Sequence, residues 1–425
     1  MKHIYKESKK MNDFGTVENL SPAECEIFQA KLLHPLISDI IQFTPAFEQF
    51  KNYLSIINES NSIEILRRLP LLSKNDLMLN IESFKKSNIQ ERLYEVKTGG
   101  TSGERLVFER MRSEYKIENK FVAASWSRLG IKLGEDKGVV LSSRVAPRSE
   151  DGFSFVDKNN MLWLACNHQS TEHWARIYEA IVNFKPKYVR GYGSLVSEFF
   201  RQLMNQGLSL PKSIIGIAYS SDPMTSQEIN FISENFCDNI ISLYGQTERV
   251  TMGVTCEKTG KFHLYPDYGF TELVRDDGTV IDTPGEFGEI VGTSLFPRAT
   301  SLLRYRTGDV ACWSEHSICE CGRQMPTLEK IIGRSQEILI TKSGDSISLG
   351  RRTSYQQMMQ SLPIGTGIQF TQRTPGHLHA FIQSQIDDEN KFYDAINHLS
   401  DDFHVTYEFV KKPILHSNGK RTLIV

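Results

Sequence analysis

The sequence predicts an α/β fold: a large N-terminal domain of mixed and parallel sheets with helices, followed by a small α+β C-terminal domain. Three observations predict it. Strand-like apolar runs alternate with amphipathic helical stretches from about residue 113 to residue 244. Beyond residue 260 the helical stretches stop and strands follow one another. Past Gly333 and Arg334 a short segment carries its own helix and strands. At 425 residues the chain is long enough for a large core and two or three domains.

Residues 18 to 92 read as a mostly helical lead-in. In "LSPAECEIFQAKLLHPLISDIIQF" the residues Phe28, Leu32, Leu36 and Ile40 share one helical face, and Pro35 is expected to break or kink it. "RLYEV" and "RLVFER" read as two strands around a polar loop. Ser113 to Leu129 reads as a helix closed by Gly130. "GVVLSS" and "MLWLAC" read as buried strands. Glu172 to Phe184 reads as a helix, "KYVRGY" as a strand, and Leu195, Phe199 and Leu203 mark the next helix. "SIIGIAY" is a strand, Thr225 and Glu228 form a capping box before a further helix, and "NIISLY" closes the series. Strands separated by helices imply βαβ units and a parallel sheet. Ligands of such sheets bind at the carboxyl ends of strands, so the loops after Tyr192, Tyr219 and Tyr244 draw attention. "GEIVGTSL", "LLRYRTGDV" and "TLEKIIGRSQEILIT" lead into the last segment, whose helix spans Thr353 to Leu362. The expected organisation is a large domain over 1–332, with 1–92 as lead-in, and a small mobile domain over 333–425 hinged near 334–336.

Composition narrows the function classes. A net charge of −2 gives no global case for nucleic acid or anionic membrane. No run of about 18 apolar residues is present, so no transmembrane helix is expected. The polar start MKHIYKESKKMNDF lacks the apolar region of a secretory signal. Seven cysteines, an odd number, do not form a disulfide framework. A reducing cytoplasm is the expected compartment, and a homodimer is compatible with all of this.

The loop "KTGGTSGERLVF", residues 97 to 108, is the first candidate for chemistry. It is not a Walker loop, because Glu104 and Arg105 follow Gly103 where lysine and a hydroxyl residue are required. It is not a dinucleotide fingerprint, because Gly99 and Gly100 are adjacent. It can still cradle phosphate: glycines allow a concave run of backbone N–H groups, and Thr98, Thr101 and Ser102 add hydroxyls. A plain polar hairpin loop is the alternative.

Its company changes the reading. "YGQTE" (244–248), "YRTGDV" (305–310), "GRSQE" (333–337) and "NGK" (418–420) follow in order. This set resembles the acyl-adenylate-forming superfamily of acyl- and aryl-CoA ligases, peptide-synthetase adenylation domains and luciferase. "PKYVRGYGS", "LFPRATSLLRYRTGDV" and "CECGRQMPTLEKIIGRSQEILI" look like its phenylacetate-CoA ligase and CapK-type branch. The resemblance runs from about residue 65 to the C-terminus.

It implies the adenylate-forming fold and ATP-dependent activation of a small carboxylic acid as acyl-AMP, with release of pyrophosphate. The acyl group then passes to a thiol, coenzyme A in the first reading. An alternative acceptor is a carrier protein or an amine, in polysaccharide or secondary metabolism. A non-catalytic nucleotide- or acyl-binding protein is a third reading. The chemistry suits the residues: uniting a carboxylate with the α-phosphate brings two anions together, so positioning and charge neutralisation carry the step.

By resemblance, Thr98, Gly99, Gly100, Thr101, Ser102 and Gly103 wrap the β- and γ-phosphates. Tyr244 beside Gly245 stacks on adenine, Thr247 bonds the α-phosphate and Glu248 holds Mg²⁺, a hard cation suited to oxygen ligands. Asp309 accepts from the ribose hydroxyls, and Arg334 contacts ribose or phosphate. Lys420 resembles the late lysine that neutralises the reacting anions, with a solvated tail lysine as the competing reading. Core-edge packing for Tyr244, turn capping for Asp309 and a surface position for Arg334 are the corresponding alternatives. Tyr219, Ser220, Ser221 and Asp222 are expected to line the acid pocket, with residues near Ser142 to Arg148. Asp222 could instead cap a helix. The chain departs from the family at Ser102, in lacking Pro-Lys after the loop, and at Gln336 in the hinge.

Cys319 and Cys321 form a tight pair, and Cys256 and His263 lie upstream around a glycine-bearing turn. Together they make a Cys₃His set suited to tetrahedral zinc, and the phenylacetate-ligase branch has comparable positions. Such a site, with four protein ligands, would be closed and structural. Partly buried free thiols are the alternative, and His316 is a spare ligand. Cys25, Cys166, Cys237 and Cys312 read as core residues.

Overall fold

The computed structural model describes residues 17–98, 106–142, 152–166, 170–224, 226–315, 318–334, 338–349, 353–363, 366–384, 389–414 and 423–425. The expected phosphate-loop residues Gly99 to Gly103, together with Thr225, His316, Gln336 and Lys420, lie outside them, as does most of the Ser142 to Arg148 stretch. The chain forms two compact units, Met1–Ala124 with Tyr244–Ile331, and Ser125–Leu243 with Ile332–Val425.

The first unit opens on the helix Pro22–Phe43. Ser21 caps it, accepting from the Glu24 N–H while Glu24 reaches back to the Ser21 N–H. Of the break or kink expected at Pro35, the break does not occur: the helix runs through it. Proline removes one backbone bond, but Leu33, Leu36, Ile37, Ile40 and Ile41 pack here against Ile65, Leu66, Phe270, Leu295 and Leu303. Burial of that face outweighs one lost bond. The buried face is also rotated from the expected one: it keeps Leu36 and Ile40 and adds Cys25, Gln29 and Leu33, while Phe28 and Leu32 are half-buried.

Strands Leu93–Lys97 and Val107–Met111 form the expected antiparallel hairpin, with Lys97 opposite Val107. That hairpin is a sheet by itself, and the unit's other strands come from its second segment. Gly269–Val274, Phe287–Ser294, Tyr305–Trp313, Thr327–Arg334, Phe262–Leu264 and Met252–Thr255 lie side by side in that order. Antiparallel pairing links the first three of these strands and the last three.

The second unit contains the predicted strand–helix rhythm. Ile240–Gly245, Gly216–Ser220, Tyr188–Tyr192, Gly138–Ser142 and Met161–Ala165 are neighbours in that order. They pair in parallel, with Gly138 opposite Tyr188 and Tyr188 opposite Gly216. Ser154–Val156 adds an antiparallel edge. Helices Thr171–Phe184, Gly193–Asn205 and Ser226–Asn235 match the amphipathic stretches. They bury Trp174, Ile177, Ile181, Phe199, Phe200 and Ile232 against the sheet residues Val139, Leu141, Leu164, Val189 and Ile217.

The C-terminal segment has a core of its own around Phe370, Phe392 and Phe403. Its three-stranded sheet joins Gly367–Thr374, His377–Gln383 and His404–Phe409. Gln383 ties this segment to the helix Gly193–Asn205: it accepts from Arg201 Nη1 over 2.7 Å and donates to Glu198 over 3.0 Å. Arg201 also pairs with the fully buried Glu228 over 2.8 Å. Among the described residues, no helix is long and apolar enough to cross a membrane.

Candidate functional site

Two sequence motifs 65 residues apart meet in the first unit. The Tyr244 hydroxyl donates to Asp309 Oδ2 over 2.9 Å. Tyr244 reaches this point from the end of the strand Ile240–Gly245, with its ring against the edge of Phe262. Asp309 reaches it from an irregular strand. Gly308 has φ +79°, a left-handed conformation that glycine takes without strain, and its N–H donates to Glu289 Oε1 over 3.0 Å. The register against the neighbouring strand shifts between Glu289 and Val291, as a β-bulge does. Both rings and carboxylate are half-buried, as groups that meet a ligand should be.

Just past Tyr244 the backbone makes a tight turn, closed by the Arg249 N–H donating to the Gln246 carbonyl over 3.0 Å. Thr247 and Glu248 occupy its two central positions. Thr247 is half-buried; Glu248 is buried, and its Oε1 accepts from the Tyr305 hydroxyl over 2.8 Å. Arg249 completes the turn at φ +54°, an uncommon conformation for a residue with a side chain.

Thr98 closes the neck of the hairpin: its N–H donates to the Leu106 carbonyl over 2.9 Å, and its hydroxyl accepts from the Leu106 N–H over 3.0 Å. Arg334 ends the strand Thr327–Arg334, and its side chain lies outside the described residues.

The expected acid-pocket residues belong to the second unit and differ among themselves. Tyr219 is part of the apolar core, and burial pushes its hydroxyl up to about 12. Asp222 is buried and accepts from the Ser194 hydroxyl over 2.5 Å and the Ser194 N–H over 3.4 Å. Its carboxylate therefore sits at the N-terminus of the helix Gly193–Asn205, where negative charge is favoured. Ser220 is half-buried and Ser221, at φ +76°, is exposed.

The four proposed metal ligands converge. One donor atom each from Cys256, His263, Cys319 and Cys321 lies within 4.8 Å of all the others. Cys256 and Cys319 sulfurs are 3.7 Å apart, and Cys321 Sγ is 3.3 Å from His263 Nε2. A tetrahedral zinc with bonds of about 2.3 Å to sulfur sets two thiolates about 3.8 Å apart, close to this spacing. His263 Nδ1 meets Thr327 Oγ1 at 3.1 Å, while that hydroxyl donates to the Met325 carbonyl. Thr327 is thus an acceptor toward His263, which leaves the lone pair on Nε2 for a metal. Arg323 donates to Cys321 Sγ over 3.4 Å and grips Glu257 with both terminal nitrogens. Elsewhere Cys25, Cys166 and Cys312 are buried as expected of core residues, Cys237 is half-buried at the core's edge, and burial pushes the Cys25 and Cys166 thiols up to about 12.

Sequence reading gave no role to Tyr305, Glu114 or Arg298, all of which bear on the Glu248 turn. The one available signal was a lone arginine within the apolar stretch "LFPRATSLL".

Comparison with known proteins bears on this arrangement. No family model matches the chain. It is 22% identical over 347 residues to Protein CapK of Staphylococcus aureus, covering 80% of this chain and 72% of that protein. It is 23% identical over 340 residues to a phenylacetate-coenzyme A ligase of Thermus thermophilus, covering 77% and 74%. Among solved structures, 2-hydroxyisobutyryl-CoA ligase in complex with 2-HIB-AMP superposes with a TM-score of 0.71 at 16% identity, over 96% of this chain and 90% of that one. The amide bond synthetase McbA from Marinactinospora thermotolerans gives 0.51 at 15% identity, over 75% and 66%.

Proposed function

We propose that this chain, a member of the acyl-adenylate-forming superfamily, is an ATP-dependent ligase that activates a small carboxylic acid as acyl-AMP and passes the acyl group to coenzyme A. The observation that carries the reading is the 2.9 Å bond between Tyr244 and Asp309, which unites two separate nucleotide motifs. Beside it, Glu248 stands buried and oriented by Tyr305.

Tyr244 offers its ring to adenine, and Asp309 has acceptor oxygens for ribose hydroxyls. Thr247 provides a hydroxyl for the α-phosphate. Glu248 would hold Mg²⁺, which when bound neutralises phosphate charge. Thr98, at the neck of the hairpin, supports the phosphate-loop reading of Gly99 to Gly103. Arg334 and Lys420 keep their proposed roles toward ribose or phosphate and toward the reacting anions. Residues 333–425 act as a small mobile domain in this reading. Cys256, His263, Cys319 and Cys321 would hold a structural zinc that cross-links two loops. A reducing, cytoplasmic compartment suits cysteines that form no disulfide.

A second acceptor, an amine or a carrier-protein thiol in place of coenzyme A, is suggested by the fold shared with the amide bond synthetase McbA. The test is pyrophosphate release from ATP with a panel of carboxylic acids, then with coenzyme A, phosphopantetheinylated carriers and amines added in turn. Acid-dependent pyrophosphate release is the expected result. No release with any acid, together with no ATP binding, would sink the enzyme reading.

A further inference from the structure

The turn that carries Thr247 and Glu248 is held from behind by a buried ion pair. Arg298 is 4% exposed and Glu114 is fully buried. Arg298 Nε donates to Glu114 Oε2 over 3.2 Å. The other Glu114 oxygen accepts the backbone N–H groups of Met111, at 3.0 Å, and Ala299, at 3.1 Å. Glu114 thereby fixes three things at once: the end of the strand Val107–Met111, the chain at Ala299 and the plane of the guanidinium. Arg298 Nη1 then donates to the carbonyls of both Glu248 and Arg249, the latter over 3.1 Å.

These are the carbonyls a positioning device should hold. Arg249 sits in the left-handed region, which an L side chain leaves when nothing constrains it. If Arg249 relaxes to negative φ, the peptide after Glu248 rotates and the carboxylate swings with it. A charged donor bonded to both carbonyls opposes that rotation more strongly than a neutral one. Arg249 itself pairs with Glu118 over 3.2 Å, and Glu118 also accepts from the Tyr268 hydroxyl, so the turn's far end is anchored too.

We infer that Arg298, locked by Glu114, is a positioning residue that fixes the Thr247–Glu248 turn for metal-bound nucleotide. This inference rests on the adenylation reading and extends it to a residue that touches no reactant. Arginine is required because one fork must satisfy a carboxylate and two carbonyls, and a lysine cannot present nitrogens in that fixed plane.

The test is calorimetric binding of MgATP and of adenosine to wild type, Arg298→Lys, the charge-neutral pair Glu114→Gln with Arg298→Met, and Arg298→Lys with Arg249→Gly. Adenosine, by the same reading, meets Tyr244 and Asp309 without Thr247 or Glu248. Thermal melts establish that each variant is folded, and the double replacement avoids leaving a bare buried carboxylate. Arg298→Lys should weaken MgATP by about 10-fold or more and adenosine by less than about 2-fold. Arg249→Gly should restore about half of that loss on a logarithmic scale, because glycine takes the left-handed turn unaided. Hydrogen exchange at the Arg249 amide should speed up in Arg298→Lys and slow again in the double variant. Equal losses for the two ligands, or no recovery with glycine, would overturn the inference alone. Failure of the wild type to bind either ligand would overturn the adenylation reading and this inference with it.

Discussion

Tyr305 donates its hydroxyl hydrogen to Glu248 Oε1 over 2.8 Å, and both residues are buried. The bond fixes the direction in which the Glu248 carboxylate points. Tyr305→Phe should cost about 1 kcal/mol of stability and slow adenylation roughly 10-fold, through a looser Glu248. Glu248→Ala should lower pyrophosphate release by at least about 100-fold without unfolding the protein. Parallel urea melts and pyrophosphate assays check both. A Tyr305→Phe protein with unchanged rate would show that Glu248 needs no such orientation.

The cysteine cluster predicts one zinc per chain in purified protein, measurable by elemental analysis. Stripping it with a chelator should lower the melting temperature by several degrees, since a closed four-ligand site stabilises the folded state. Cys321→Ser should reproduce the destabilisation and reduce zinc content. Folded protein with no bound zinc would end this assignment.

Asp267 predicts a pH dependence of stability. It is 1% exposed, and among the described residues neither carboxylate oxygen has a hydrogen-bond partner from another residue. Burial, aided by the negative charge of Glu18, pushes its carboxyl from 3.8 up to about 7. The folded protein therefore keeps a proton that the unfolded chain releases. That stabilising contribution is fully present below about pH 4 and is lost as pH rises through about 7. Asp267→Asn should remove the loss. The variant should gain on wild type between pH 5 and pH 8 by at most roughly 3 kcal/mol, the part of the shift that lies in that window. Urea unfolding at the two pH values decides it; equal stability differences at both would contradict the linkage.

Lys420 has a sequence role only, because it lies outside the described residues. Lys420→Ala should slow acyl-AMP formation much more than transfer from preformed acyl-adenylate, as measured in separate half-reactions. Equal loss in both would refute a role in neutralising the anions of the first step.

The sequence by itself determined the local elements and the chemical inventory. The strands and helices between Gly138 and Gly245 were legible because each needs only its own period of apolar residues and its own turn residues. The convergence of Cys256, His263, Cys319 and Cys321 was legible because cysteine and histidine announce their chemistry by type. The stretches around Tyr244, Glu248 and Asp309 stood out because their order along the chain is informative, and the structure brings Tyr244 and Asp309 together. Tertiary structure decided the partners. Glu114 and Arg298 are 184 residues apart, so no local pattern could pair them. Asp222 reads from the sequence as either a pocket or a capping residue, and the fold brings one of its oxygens to Ser194, 28 residues away. Pro35 does not end its helix, because a local rule counts one lost backbone bond, whereas the helix answers to the apolar face it buries against residues as distant as Leu303. Period and residue type act over a few bonds along the chain. Burial, ion pairing and the hold on a strained turn act through space, and only the folded chain brings their partners together.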